Sequence, residues 1–220
     1  MKAQVSPRHY HHEYDFLEIL GGKSIARILM NRALSKHCFL RGLVVDLGGG
    51  KGASYMRALA DQLVNCRYLR TDVSKKTQPD RIVDLNKRFP FKNNTVDTLM
   101  MINVLYILDN PSFTLQECRR VLKRKGRIYV VTPFVFPYTP EPKDLWRWTE
   151  EGLELMFKKA GFNVRIVPIG GRFSAIAYVL CEGLLAPLRI VLYPLSVMLD
   201  AMFPKRAANL PILYLAAGEK

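Results

Sequence analysis

The chain has 220 residues, which suits one α/β domain with a substantial core and leaves little room for a second. Hydrophobic residues make up 49% of the sequence, which excludes a generally disordered protein. The formal net charge of +14 favours an anionic partner such as nucleic acid, an acidic membrane surface or a phosphorylated substrate, and charge alone does not choose among them.

The cysteines and histidines do not predict a metal site. No CxxC pair or metal-ligand spacing occurs, so we expect reduced, mostly buried cysteines at Cys38, Cys66, Cys118 and Cys181. His9, His11 and His12 lie close together in the polar segment 1–22, which we interpret as a solvated terminus rather than a metal site. The first 20 residues show no signal-peptide pattern, so a cytoplasmic location is expected.

Hydrophobic spacing predicts alternating helices and strands along most of the chain. Helices are predicted over 23–38, 53–64, 112–123 and 149–160, the last of them capped by Thr149 and ended by Gly161. Strands are predicted over 43–47, 67–73, 81–84, 96–103, 127–133, 162–168 and 211–217. This order predicts an α/β fold with a doubly wound, mostly parallel seven-stranded sheet that is covered on both faces.

The most informative motif is VVDLGGGKG at 44–52, in which a strand ends at an acidic residue and glycines follow at alternate positions. Glycines allow a tight turn and a close approach of the backbone to a ligand. Open α/β sheets bind ligands at the carboxyl ends of their strands. The spacing differs from the G-x-G-x-x-G dinucleotide fingerprint, and Asp46 would repel a pyrophosphate but suits a ligand that carries an ammonium group.

Two further carboxylates stand where a nucleoside would need them. Asp72 ends the second predicted strand, where it could accept hydrogen bonds from both ribose hydroxyls. Asp84 follows the third, where it could accept one from an adenine amino group. With the glycine loop and the stretch 89–111, these residues resemble the Rossmann-like class I S-adenosylmethionine-dependent methyltransferases, especially the bacterial small-molecule and lipid enzymes. The resemblance covers about residues 40–168.

The resemblance implies S-adenosyl-L-methionine as cofactor and assigns residues to each part of it. Asp72 and Val73 would hold the ribose, Asp84 and Leu85 the adenine, and Asn103 would border the sulfonium. The methionine part would lie against Asp46, Leu47, Gly48, Gly49, Gly50 and Gly52. Asp97, at the start of the fourth predicted strand, matches a family position for which the resemblance implies a structural role.

The sequence departs from the family where a histidine base would stand. Relatives often read Val-Leu-Glu-His after the fourth strand, and this chain continues through Tyr106 instead. Relatives also often carry a histidine near Thr139, before the segment 140–153. A hydroxyl acceptor would need a general base, for which the candidates are Asp144, Tyr138 and Tyr106, although Asp144 could equally be a structural partner of Arg147.

An apolar segment, 173–204, lies between the sixth and seventh strands. Charged residues and prolines interrupt it, which favours two short helices at a membrane interface over a spanning helix. Flanking Arg172, Lys205 and Arg206 would face lipid phosphates. The alternative is a helical hairpin packed on the sheet edge or at a homodimer interface.

The whole chain is therefore predicted to be one methyltransferase domain, with an N-terminal cap at 1–40 and a cofactor-binding core at 41–170. The insertion at 171–208 then precedes the last strand at 209–220. We expect the enzyme to methylate a lipid or lipid-linked saccharide as a peripheral protein on the inner face of the membrane. The alternatives are a soluble small-molecule methyltransferase, an RNA methyltransferase, and a non-catalytic membrane protein that binds the cofactor. The absence of an Asn/Asp-Pro-Pro-aromatic motif after the fourth strand argues against a nucleic-acid substrate.

Overall fold

A computed structural model describes residues 17–50, 55–182, 185–204 and 209–220 of the chain. His9, His11 and His12, Gly52 of the glycine loop, and Lys205 and Arg206 lie outside these ranges. The strands are β1 Leu43–Leu47, β2 Arg67–Asp72, β3 Arg81–Ile82, β4 Val96–Ile102, β5 Leu122–Pro133, β6 Asn163–Ile169 and β7 Leu213–Glu219. The helices are α1 Ile25–His37, α2 Tyr55–Ala58, α3 Ala60–Leu63, α4 Pro111–Val121, α5 Glu150–Lys159, α6 Arg172–Cys181 and α7 Arg189–Met202.

The strands form one seven-stranded sheet in the order β3-β2-β1-β4-β5-β7-β6. The first five strands in this order run parallel, and β7 pairs antiparallel with both β5 and β6. The predicted doubly wound, mostly parallel sheet is confirmed. The order reverses at β1, so the carboxyl ends of β1 and β4 form the crevice in which such sheets bind ligands.

Alternating side chains of the central strands divide the core between the two faces of the sheet, because successive residues of a strand point to opposite sides. Val44 and Met100 pack in one cluster with residues of α1 and α6. Val45 and Met101 pack in the other with residues of α4 and α5. The near-continuous apolar runs of β1 and β4 are explained by this burial on both sides.

Most element boundaries differ from the sequence prediction by one or two residues, and two differ by more in kind or extent. The helix predicted over 53–64 is divided into α2 and α3 at Leu59, whose φ of −110° and ψ of 3° leave the helical region. Leu59 is completely buried, so the helix is divided at a residue whose side chain packs in the core. β5 begins at Leu122 rather than at 127, because Leu122 already pairs with Val96 of β4. The apolar pattern missed this part because 123–127 is KRKGR.

The insertion between β6 and β7 is a pair of helices that pack on each other. The carboxylate of Asp200 in α7 accepts hydrogen bonds from the backbone N–H groups of Phe173 and Ser174, at 2.9 and 3.1 Å. These donors lie in the first turn of α6, where the helix itself supplies no acceptor. Asp200, which interrupts the apolar segment in the sequence, therefore fastens the two helices together. None of the described helices is long and apolar enough to cross a membrane.

An ion pair on α4 holds the loop that leads into β4. Glu117 pairs with Arg120 at 2.7 Å and accepts a hydrogen bond from the N–H of Phe89 at 2.8 Å. Arg120 donates to the carbonyl oxygens of Phe89 and Phe91, at 3.0 and 2.9 Å. The hydrogen bond from Arg120 is the main cause that holds the pKa of Glu117 below its ordinary value of 4.5. The pair therefore fixes the path of the chain before β4.

Glu117→Gln is expected to lower the free energy of unfolding at neutral pH by about 1–3 kcal/mol, since it removes a largely buried charged acceptor. A lowered pKa in the folded state stabilises the protein above pH 4.5, the ordinary value, and this contribution is lost as the pH falls through the lowered pKa. Urea unfolding of both proteins from neutral to acid pH should show the difference shrinking. The control is Glu154→Gln, which removes an exposed ion pair with Lys158 and should change stability by less than about 0.5 kcal/mol. A difference that persists unchanged at acid pH would contradict this account.

Candidate active site

The glycine loop follows β1 and turns through backbone conformations that favour glycine. Gly48 and Gly50 have φ angles of 74° and 53°, in the left-handed region. A Cβ on Gly48 would lie 2.7 Å from Cγ2 of Val104, at the end of β4. The loop can therefore come this close to β4 only because position 48 lacks a side chain.

Asp46 lies beneath this loop and is completely buried. Its Oδ2 accepts hydrogen bonds from the hydroxyls of Tyr55 and Tyr68, at 2.6 and 2.5 Å. Burial raises the pKa of Asp46, while the two hydrogen bonds and nearby Arg70 oppose the rise. The carboxylate thus supports the loop from below, and its predicted contact with the methionine part of the cofactor stays a prediction.

A cavity of about 600 Å³ opens at the carboxyl ends of β1, β2 and β4, and we call it the strand-end cavity. Five of the predicted cofactor-binding residues line it together, namely Gly48, Asp72, Val73, Asp84 and Leu85. Residues that the sequence analysis missed complete the lining, namely Ser74, Val83, Asn86, Val104, Ile107, Leu108, Asp109, Pro142 and Lys143. Leu47 is fully buried behind the loop, and Gly49 lies against the Asp46 carboxylate.

The two carboxylates of the strand-end cavity are ordered by their own turns. Oδ1 of Asp72 accepts the N–H of Ser74 at 2.8 Å. Oδ1 of Asp84 accepts the N–H of Asn86 at 3.0 Å, and this bond is the main cause that lowers the pKa of Asp84. Apolar walls and two acceptor groups in a cavity of this size fit an adenosyl group, which has flat apolar faces and donates through its hydroxyls and its amino group.

Asn103 and Val104, which are neighbours in sequence, line two different cavities. Val104 lines the strand-end cavity, while Asn103 lines a second cavity of about 590 Å³ between α1 and α6, which we call the α1–α6 cavity. Asn103 has a φ of 55°, and its Nδ2 donates to the sulfur of Met30 at 3.6 Å. Its Oδ1 is buried and has no hydrogen-bond partner among the described residues. The end of β4 thus separates the two cavities.

The α1–α6 cavity has a polar lining that the sequence analysis did not predict. Lys23 and Arg27 come from the start of α1, and Tyr178 and Glu182 come from α6 and its end. Phe136 lies 6.0 Å from Tyr178, measured between ring centroids. No motif indicates these residues, because the two helices that supply them are far apart in the chain.

None of the three predicted general bases lines the α1–α6 cavity. Asp144 forms a two-point ion pair with Arg147, which together with the N–H of Thr139 lowers the pKa of the carboxyl. Tyr138 is 77% exposed. Tyr106 is buried, and burial raises its pKa, so it stays protonated at neutral pH. Its ring lies 6.4 Å from that of Phe136, between centroids, which places it behind one wall of the cavity.

The paired tryptophans lie beside the site rather than in it. The rings of Trp146 and Trp148 stack at 5.4 Å between centroids, and Nε1 of Trp146 donates to the carbonyl oxygen of Leu108 at 2.9 Å. Trp148 packs against the core on the α4–α5 side of the sheet. They line a separate depression next to α4 and α5, and neither lines the strand-end cavity or the α1–α6 cavity.

Residues 45–130, which include the glycine loop, Asp72, Asp84 and Asn103, match the family model described as "Methyltransferase domain". The chain contains a methyltransferase domain. The predicted enzyme class is thereby confirmed, and so is S-adenosyl-L-methionine as the cofactor. No curated protein matches this methyltransferase in sequence.

Solved structures share the fold at low sequence identity. A Haloferax volcanii protein, in complex with the Trm112 methyltransferase activator, is 19% identical with a TM-score of 0.61, and the match covers 96% of each chain. A SAM-dependent methyltransferase from Archaeoglobus fulgidus is 15% identical with a TM-score of 0.59, over 96% of this chain and 100% of the other. Phosphoethanolamine N-methyltransferase 2 of Haemonchus contortus, in complex with S-adenosyl-L-methionine, is 15% identical with a TM-score of 0.57, over 100% of this chain and 61% of the other.

Asp72→Ala is expected to weaken the binding of S-adenosylhomocysteine at least about tenfold, because it removes the acceptor for ribose hydroxyls. Isothermal titration calorimetry measures the dissociation constant directly. Asp61→Ala is the matched control, since this exposed carboxylate in α3 lines neither cavity, and it should bind as the wild type does. Equal binding by Asp72→Ala and the wild type would remove Asp72 from the cofactor site.

Proposed function

We propose that this methyltransferase transfers its methyl group to a lipid or lipid-linked saccharide at the cytoplasmic face of a membrane, to which it attaches peripherally. The observation that carries the proposal is a set of exposed apolar side chains on α6, α7 and the turn between them. This set, which we call the apolar face, comprises Ile176, Val179, Leu180, Leu188, Ile190, Val191, Leu195, Met198 and Met202. So many exposed apolar side chains on one helical hairpin are typical of a membrane or protein contact.

Helix α6 links the apolar face to the α1–α6 cavity. Tyr178 and Glu182 line the cavity, whereas Val179 and Leu180 are about half exposed. A side chain on the next residue of a helix points about 100° away, so one helix can border the cavity and the surface at once. An acceptor anchored in the membrane beside α6 would have its head group next to the cavity.

An apolar cleft beside the apolar face supports a lipid acceptor. The cleft has a volume of about 420 Å³ and lies between α1 and α7. Ile25, Ile28 and Leu29 form the α1 side, and Val197 and Met198 form the α7 side. A concave apolar site of this size suits a hydrocarbon chain. Met198 belongs both to the cleft and to the apolar face, so a chain could enter the cleft from the membrane.

Basic residues border the insertion and would favour anionic lipid. Arg172 opens α6 and Arg189 opens α7. Each cation close to an anionic surface adds about 1 kcal/mol of attraction. The formal charge of +14 on the whole chain acts in the same direction.

We propose the following roles in the strand-end cavity. Asp72 accepts hydrogen bonds from the ribose, Asp84 and the backbone of Leu85 bind the adenine, and the loop that begins at Gly48 bounds the methionine part. The cofactor supplies a methyl group on a positively charged sulfur. Asn103 faces the α1–α6 cavity, so we propose that the acceptor binds there and approaches the methyl group past the end of β4.

The double variant Val179→Asp/Val191→Asp is expected to lose flotation with lipid vesicles by at least about tenfold, because two charges would enter the apolar interface. The wild type should float with vesicles, and more strongly when they contain an anionic phospholipid. Val64→Asp is the matched control, since Val64 is 80% exposed outside the insertion, and it should float like the wild type. If the wild type stays at the bottom with every lipid, the apolar face is a contact between protein chains, and the acceptor should be sought among soluble small molecules.

A further inference from the structure

The start of α1 gives the α1–α6 cavity a positive wall. Lys23 and Arg27 line the cavity, and guanidinium nitrogens of Arg189 lie 3.7 and 3.8 Å from the position of a Cβ on Gly22, another lining residue. Lys23 is neutralised by an ion pair with Glu18. Arg27 makes no hydrogen bond or ion pair through its side chain with the described part of the chain. Arg27 is an exposed residue that borders the cavity, so its guanidinium is available to a ligand there.

The helix itself adds to this positive potential. Ser24 caps α1, which has 13 residues, and its first turn contains no acidic residue. The N-terminal end of a helix carries a partial positive charge that favours anions. Ser24, Ala26 and Arg27 all line the cavity, so this end of the helix borders the ligand space.

Among the described residues that line the α1–α6 cavity, the one carboxylate is that of Glu182, at the end of α6. Burial is the main cause that raises the pKa of the Tyr178 hydroxyl, and Glu182 raises it further while Arg27 lowers it. Both charged groups are therefore within electrostatic range of the same hydroxyl, although they do not pair with each other. The cavity has room for a ligand between them, and the net balance of Lys23, Arg27 and Arg189 against Glu18 and Glu182 is positive.

We propose that the α1–α6 cavity binds the methyl acceptor through a phosphate group, held by Arg27 at the N-terminal end of α1. Arginine presents a planar fork of donors that matches phosphate oxygens in pairs. This inference rests on the proposed function, because it takes the cavity to be the acceptor site. A phosphate in a lipid head group and one in a soluble phosphorylated compound share this chemistry, and the experiment below separates them.

The first test is calorimetric titration of the full chain, saturated with S-adenosylhomocysteine, with inorganic pyrophosphate. We expect the wild type to bind, and Arg27→Ala to bind at least about tenfold more weakly, since a charge-assisted hydrogen bond is lost. Arg27→Lys should keep part of the affinity because it retains the charge without the planar fork. Arg124→Ala removes the same charge near the start of β5, away from both cavities, and should bind as the wild type does.

Glu182→Gln distinguishes a phosphate from an amine as the recognised group. Removing a carboxylate from the cavity should leave pyrophosphate binding unchanged or make it tighter. If Glu182→Gln weakens pyrophosphate binding, if Arg27→Ala binds as tightly as the wild type, or if the wild type does not bind pyrophosphate, the proposal is overturned. Retained binding of S-adenosylhomocysteine by each variant shows that the protein is folded and that the strand-end cavity is intact.

Competition with vesicles identifies the source of the phosphate. Vesicles that contain phosphatidic acid should displace pyrophosphate from the wild type if the group belongs to a lipid. If neither these vesicles nor neutral ones displace it, the phosphate proposal stands with a soluble acceptor, and the lipid part of the proposed function fails alone.

Discussion

The close approach between the glycine loop and the end of β4 is the contact on which the site depends. Gly48 lies against Val104 with no space for a Cβ, because one would lie 2.7 Å from the valine methyl group. This contact brings the ends of β1 and β4 together where the strand order reverses. Asn103 and Val104 are consecutive residues after β4. Asn103 lines the α1–α6 cavity, and Val104 lines the strand-end cavity. On the proposed function, the acceptor atom meets the methyl group of the cofactor beside this strand end, since direct displacement requires the two to be in contact.

The strand-end cavity could be predicted from sequence because its residues are local to strand ends. Asp72 and Asp84 each lie at the end of a predicted strand, and a parallel sheet necessarily brings such ends to one edge. Asp46 also lies near a predicted strand end, and its contact with the cofactor stays a prediction. Strand alternation puts its side chain on the same face as Val44, where Tyr55 and Tyr68 lie, so it is buried under the loop and does not line the cavity. The position of a strand end is therefore predictable, but which face receives the side chain depends on packing partners elsewhere in the chain.

The α1–α6 cavity could not be predicted, because two helices from opposite ends of the chain form it. Arg27 looks like a solvated residue of an amphipathic helix, and Tyr178 looks like part of an apolar run. Only the fold brings them to one cavity. The candidate base Asp144, by contrast, pairs with a residue that is close to it in the sequence. Its partner Arg147 is three residues away, so the pairing was visible in the sequence, and this ion pair makes the carboxylate a weaker base.

On the proposed function, the apolar insertion lies beside the α1–α6 cavity, where the acceptor would bind. An α-helix with its side chains is about 10 Å across, so a membrane in contact with Val179 would lie within about that distance of a cavity bordered by Tyr178. Asp200 of α7 accepts hydrogen bonds from the first turn of α6, so the helix that borders the cavity is joined to the second helix of the apolar face. On the proposed function, the insertion therefore places the acceptor as well as attaching the enzyme. A lipid head group could enter the cavity while its chain stays in an apolar environment, so the acceptor need not leave the membrane in order to react.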